Sequence, residues 1–289
     1  MSAQVAVLRF PGSNCEREAL QAVERVGLAG RIVRWNEPAA ALRSFDAFIL
    51  PGGFSYQDRI RAGAVAARLP LLDIVARKAR EGAPVFGICN GAQILVEAGL
   101  VPASVGPDAA APSVDRPENA EEDPVRLALA PNRIPARDGY YTRWVFLAPG
   151  GAASRCLFTR GLDAPLPMPM AHGEGRFVTA DSAEAARLDQ GVALRYAGPG
   201  GEPAGGFPLN PNGSLADAAG LVGGTGNVLA LMPHPERAQR LAQVPEHLPG
   251  PWGDRRRRAG GSAALDGEGP GLELFRRLAR HFGEGGARG

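Results

Sequence analysis

The sequence predicts an α/β protein: a single doubly wound, mixed sheet flanked by helices (flavodoxin-like), with short antiparallel strands added in its second half. Over the first hundred residues, short apolar runs rich in β-branched residues alternate with stretches whose apolar positions recur at helical spacing, the mark of a parallel sheet. From Val125 the texture changes to short strand-like pieces divided by glycine and proline, which suits antiparallel pairing. A late apolar run, GNVLALMP (226–233), is then followed by the amphipathic stretch GLELFRRLARHF (271–282).

The elements follow in order. VAVLRF (5–10) reads as a buried strand, and SNCE (13–16) offers a capping box for a helix carrying Ala19, Leu20, Val23 and Val26, closed by Gly27. RIVRW and DAFILP are the next strands, a long helical stretch runs from about Ile60 to Glu81, and VFGIC is a fourth strand leading into the helix NGAQILVEAGL, which ends at Gly99. The segment from about 103 to 124 has Pro, Ala, Asp and Glu without periodicity and reads as a mobile surface insertion. VRLAL, YTRWVFL, RCLF, RFVTA and VALRYA are the strand-like pieces, and 238–269 reads as a second mobile, polar loop. One domain is expected over 1–289.

Composition narrows the function classes. A formal charge of +2 and 21% charged residues give no polyanion-binding surface, so neither nucleic acid nor membrane is expected as a partner; Arg255 to Arg258 read as a solvated loop run, with a partner-docking patch as the alternative. Three cysteines, Cys15, Cys89 and Cys156, with no signal peptide and no stretch of about 18 apolar residues, suggest a soluble protein of the reducing cytoplasm. The four histidines and three cysteines have no metal-ligand spacing, so no metal is expected on this chain.

The chemistry lies in three motifs. In GICNG a strand delivers Cys89 to a sharp turn into a helix, and Gly87 and Gly91 keep side chains out of that turn, as in the nucleophile elbow of G-x-S-x-G hydrolases. Amides at the helix start favour thiolate, and the amide of Asn90 is placed to donate to an oxyanion. PGGF (51–54), after the strand DAFIL, offers a second donor from Gly53 or Phe54. MPHPER (232–237) supplies His234 as base and Glu236 as its orienter. All three motifs fall at carboxyl ends of expected strands, where open α/β sheets bind ligands. Taken singly, a cysteine after an apolar strand is an ordinary core residue and a lone histidine is structural; it is the combination that reads as a Cys89–His234–Glu236 triad. Cys15 and Cys156 occupy no elbow and read as structural, and His247 and His281 as solvated.

FPGSNCEREAL (10–20), GGFSYQDRIRAGA (52–64), FGICNGAQILVEAGL (86–100), RWVFL (143–147), AHGEGRF (171–177), NPNGS (210–214) and MPHPER together resemble the glutaminase subunits of phosphoribosylformylglycinamidine synthase, a family of class I glutamine amidotransferases. The resemblance implies hydrolysis of L-glutamine to glutamate and ammonia, with Cys89 forming a glutamyl thioester. The ammonia would pass to a synthetase subunit that converts formylglycinamide ribonucleotide to formylglycinamidine ribonucleotide in purine biosynthesis. It also implies ATP and Mg²⁺ on that partner rather than on this chain, which has no G-x-x-x-x-G-K-[ST] loop, and a small accessory subunit. Gln93 would help hold substrate, and backbone groups near His172 and Gly173 would read its α-amino and α-carboxylate groups; His172 itself reads equally as a structural residue.

Two positions depart from the family pattern: Gln57 stands where glycine is usual and Ala92 where a bulky aromatic is common. Three rival readings remain at this stage: a glutaminase serving another synthetase, a catalytically silent subunit of the same fold, and a stand-alone thiol hydrolase or redox sensor.

Overall fold

A strand covered by helices on both faces has to be apolar throughout, and Val5–Leu8, Ala47–Leu50 and Val85–Ile88 are buried at every position. These residues belong to β1 (Gln4–Arg9), β3 (Ala47–Leu50) and β4 (Val85–Ile88), which run parallel with β2 (Ala29–Arg34) in a computed structural model that describes residues 3–101, 127–135 and 137–285. The connecting helices are α1 (Glu16–Arg25) and α2 (Pro70–Arg80), and α3 (Asn90–Glu97) leaves β4. Beyond them come β5 (Leu127–Pro131), a small hairpin of β6 (Arg133–Ile134) and β7 (Arg137–Asp138), β8 (Tyr141–Pro149), β9 (Leu166–His172) and β10 (Glu174–Thr179). The chain continues through α4 (Ser182–Gly191), β11 (Val192–Ala197), β12 (Ala218–Gly223), β13 (Val228–Leu231), α5 (Pro251–Arg258), α6 (Gly261–Leu265) and α7 (Leu272–Gly285).

Among the described residues nine strands form one sheet in the order β2-β1-β3-β4-β13-β12-β11-β8-β9. β13 lies parallel to β4, and from β12 outward every pairing is antiparallel, so the mixed sheet expected from the sequence is present. The position of β13 fixes the site, because it sets the carboxyl end of a late strand beside the carboxyl end of β4. β9 carries Pro167 and Pro169, tolerated because it is an edge strand with one unpaired side. β5 and β10 form a separate antiparallel pair.

Several local expectations are corrected. No side-chain cap closes α1: Cys15 occupies the N-cap, Ser13 Oγ accepts from the Phe10 amide at 3.0 Å, and Glu16 pairs with Arg9 at 3.2 Å. The helix expected from Ile60 begins only at Pro70: Ile60 is held at φ 73°, a short 3-10 turn covers Ala66–Arg68, and Leu69 is extended before the proline. RCLF is a buried turn rather than a strand; its Phe158 ring packs 4.9 Å from Phe86. The 238–269 region is not a loop but carries α5 and α6. Its arginine run lies on α5 and is tied down locally, Arg257 to Asp254 at 2.5 Å, Arg256 to Glu246 at 3.1 Å, and Arg255 over the Trp252 ring. The proposed insertion at 103–124 lies outside the described residues.

Candidate active site

The corner between β4 and α3 is turned by one residue. Cys89 sits there at φ 50°, ψ −106°, a conformation that costs a non-glycine residue on the order of 1–3 kcal/mol and persists only where surrounding packing enforces it. The flanking glycines explain the enforcement. A Cβ on Gly91 would fall 1.8 Å from the Leu50 carbonyl oxygen, and one on Gly87 would fall 2.6 Å from the Gly91 carbonyl oxygen. Only with both hydrogens in place does α3 lie this close to β3 and β4. The Cys89 amide donates to Leu231 O at 2.7 Å, locking the corner to β13, and the sulfur faces the Ala171 carbonyl at 3.8 Å.

From the end of β13 the chain runs into Met232, Pro233 and His234. The His234 amide donates to Pro169 O at 2.8 Å, which ties this turn to the edge strand β9. The imidazole Nδ1 lies 2.5 Å from Glu236 Oε1, and both side chains are buried, Glu236 completely. Burial by itself lowers the pKa of His234. The Glu236 carboxylate and the Cys89 sulfur, which is also a hydrogen-bond partner of the ring, outweigh burial and raise it well above the ordinary histidine value. A thiol on a strained corner, an imidazole beside it and a carboxylate behind the imidazole form the geometry of a base-assisted nucleophile.

Cys89 and His234 lie on a cavity of about 160 Å³ that Gly53, Phe54, Gln93, His172 and Gly173 also line. The sequence-derived residues divide by what they do there. The Phe54 amide already donates to Gly12 O at 2.9 Å, so of the two glycine-loop candidates Gly53 has the uncommitted amide; Phe54 instead places a half-exposed ring against Tyr140. Asn90 uses its side chain as a strut, accepting from the Ser55 amide at 3.1 Å and donating to Gln93 Oε1 at 2.9 Å. Gln93 in turn donates to Glu174 O at 2.6 Å, so each end of its amide makes a bond within the wall. His172 faces Asn132 Oδ1 at 3.0 Å; burial, with the charge of His234 second, pushes its pKa down to about 3, and it is a neutral structural ring.

Two residues escaped the sequence reading. Cys15 has its sulfur 3.0 Å from Asn14 Oδ1 and 3.8 Å from His234 Nδ1, on the carboxylate side of the imidazole. It is fully buried and off the cavity wall, whereas Cys89 lies on that wall. Burial raises the Cys15 pKa and keeps it a neutral thiol. The available signal was its place just after β1, at the same sheet edge as the other motifs. Cys15, His234 and Glu236 offer donor atoms within 4.8 Å of one another, the one grouping among the described residues that could hold a metal ion, but Nδ1 is already committed to the carboxylate. Asn132, also buried, donates to the His172 carbonyl at 2.6 Å and had no sequence signal at all.

Fold and site together define a glutamine amidotransferase of the triad type. The chain belongs to the family described as the CobB/CobQ-like glutamine amidotransferase domain, whose model matches residues 2–282. It is similar to the phosphoribosylformylglycinamidine synthase subunit PurQ of Methanothrix thermoacetophila, 39% identical over 97% of this chain and 98% of that one. The Thermus thermophilus subunit PurQ is 43% identical over 81% of this chain and 88% of its own. Among solved structures, PurLQS from Thermotoga maritima is similar with a TM-score of 0.67 and 30% identity, covering 98% of this chain and 100% of that chain. Among the described residues no helix is long and apolar enough to cross a membrane.

Proposed function

We propose that this chain is the glutamine-hydrolysing subunit of phosphoribosylformylglycinamidine synthase, working in the cytoplasm as one domain. The observation that carries the mechanism is the His234–Glu236 pair at 2.5 Å set beside Cys89 on its strained corner. The Cys89 sulfur attacks the side-chain carboxamide of L-glutamine, and the resulting oxyanion is received by the amides of Gly53 and Asn90. Protonated His234 gives its proton to the leaving nitrogen, which departs as ammonia and leaves a glutamyl thioester. Neutral His234 then takes a proton from water, whose oxygen attacks the thioester; glutamate leaves and the thiol is restored. Glu236 holds the ring with Nδ1 inward throughout, and the Cys15 thiol fills the space behind it.

The ammonia passes to a synthetase subunit that holds ATP and Mg²⁺ and converts formylglycinamide ribonucleotide to formylglycinamidine ribonucleotide, with a small accessory subunit completing the assembly. The test is ammonia release from glutamine by this chain alone and with the synthetase subunit and its nucleotides. Cys89→Ala is expected to abolish release while retaining the native circular dichroism spectrum; normal turnover in that variant overturns the mechanism. Equal release without the partner favours a stand-alone hydrolase.

A further inference from the structure

Glutamine brings an α-ammonium group into the cavity, and a buried ammonium needs acceptors. The carbonyls of the HGEG segment each already accept a hydrogen bond from within the fold. The Asn132 side-chain amide donates to His172 O at 2.6 Å and the Asn132 backbone amide to Gly173 O at 2.8 Å. Gln93 donates to Glu174 O at 2.6 Å, and Asn212 to Gly175 O at 2.8 Å. Each of these four consecutive carbonyls keeps at most one lone pair for a ligand, and none carries a charge to match an ammonium.

What remains on that cavity as anionic acceptors are two carboxylates, Asp58 and Glu174. Asp58 Oδ1 is buried and has no hydrogen-bond partner among the described residues. The backbone that presents it is strained: Tyr56, Gln57, Asp58 and Ile60 all hold φ between 52° and 73°. The bidentate pair of Arg61 with Glu97, at 2.5 and 2.6 Å, pins the loop to α3 on the far side. Burial and the like charge of Glu174 push the Asp58 pKa up, a repulsion that a cation placed near the two would relieve.

We infer that Asp58, assisted by Glu174, binds the α-ammonium group of glutamine and selects substrates that carry one. The inference rests on the glutaminase reading above and adds to it the residue that recognises the amino-acid end of the substrate. Asn adopts the left-handed backbone as readily as Asp, so Asp58→Asn removes the charge while leaving the loop as it is.

The experiment compares L-glutamine with 4-carbamoylbutanoate, which keeps the reacting carboxamide and lacks the α-amino group, in the complete synthetase complex. In the wild type, kcat/KM is expected to favour glutamine strongly. In Asp58→Asn, kcat/KM for glutamine is expected to fall on the order of 10- to 100-fold, the size of one lost charge-assisted hydrogen bond, mostly through KM. The value for 4-carbamoylbutanoate should change less than about twofold on the same scale. Glu174→Gln should shift the ratio in the same direction by less. Equal losses for both substrates in Asp58→Asn would make Asp58 a structural residue and overturn the assignment alone; equal losses in Glu174→Gln would remove Glu174 from it. A wild-type complex that releases no ammonia from glutamine would overturn the glutaminase reading and this assignment together.

Discussion

Replacing Glu236 by Gln separates the orienting role of this residue from its charge. The amide oxygen of Gln can still accept from His234 Nδ1, so the ring stays turned with its other nitrogen toward Cys89, and what disappears is the negative charge 2.5 Å away. The pair is buried on both sides. For unit charges about 4 Å apart at an effective dielectric of about 20, the lost attraction is about 4 kcal/mol. At about 1.4 kcal/mol per tenfold in rate, that corresponds to a fall in kcat on the order of 10³. The assay is ammonia release at saturating glutamine in the synthetase complex, with circular dichroism to show that the variant is folded. A loss smaller than about tenfold at neutral pH would refute the view that Glu236 stabilises the imidazolium, since the charge would then contribute less than about 1.4 kcal/mol.

The remaining predictions concern strain and pH. Cys89→Gly should be more stable to urea than Cys89→Ala by about 1 kcal/mol or more, because glycine accepts φ 50° freely; equal midpoints would mean that the corner is unstrained. Gln57→Gly should likewise stabilise the protein against urea, by about 1 kcal/mol, since Gln57 holds φ 60°, a backbone that glycine adopts at no steric cost. Native His172 has its pKa lowered to about 3, so below the ordinary unfolded value of about 6.5 the unfolded chain binds a proton that the native protein refuses. Its contribution is thus fully present above that value and is lost as pH falls toward 3, by up to about 1.4 kcal/mol per unit. His234, whose pKa is raised in the native protein, contributes in the opposite sense as pH falls through about 6.5, and because it does so in wild type and variant alike the comparison between them cancels it. Urea titrations from pH 7 to 4 should show that slope in the wild type and a shallower one in His172→Gln; identical slopes would refute it.

Legibility followed the range of the forces involved. Strands buried on both faces announce themselves as continuous apolar runs, and β1, β3, β4 and β13 were read near their observed bounds. The long helix from Ile60 was misread because apolar spacing says nothing about the left-handed backbone at Ile60 or the extended Leu69 before Pro70. RCLF was misread for a related reason: burial makes a turn as apolar as a strand. The arginine run gave no sign of being helical, since its partners Asp254, Glu246 and Trp252 become visible only when the segment folds back on itself.

At the site the division is sharper. Cys89, His234 and Glu236 could be named from sequence because each stands in a short motif whose glycines and prolines encode the local turn, and turn chemistry is decided within a few residues. Which groups reach the substrate could not be named in that way. That Gln93 and the carbonyls of the HGEG segment make bonds within the wall, that Cys15 stands behind the imidazole, and that Asp58 and Glu174 line the same cavity all depend on residues from 35 to more than 200 positions apart. The sequence by itself determined the nucleophile's corner and the sheet that carries it. Only the tertiary structure decided which polar groups share the cavity and how each is held, because the hydrogen bonds that fix them come from residues far apart in the chain.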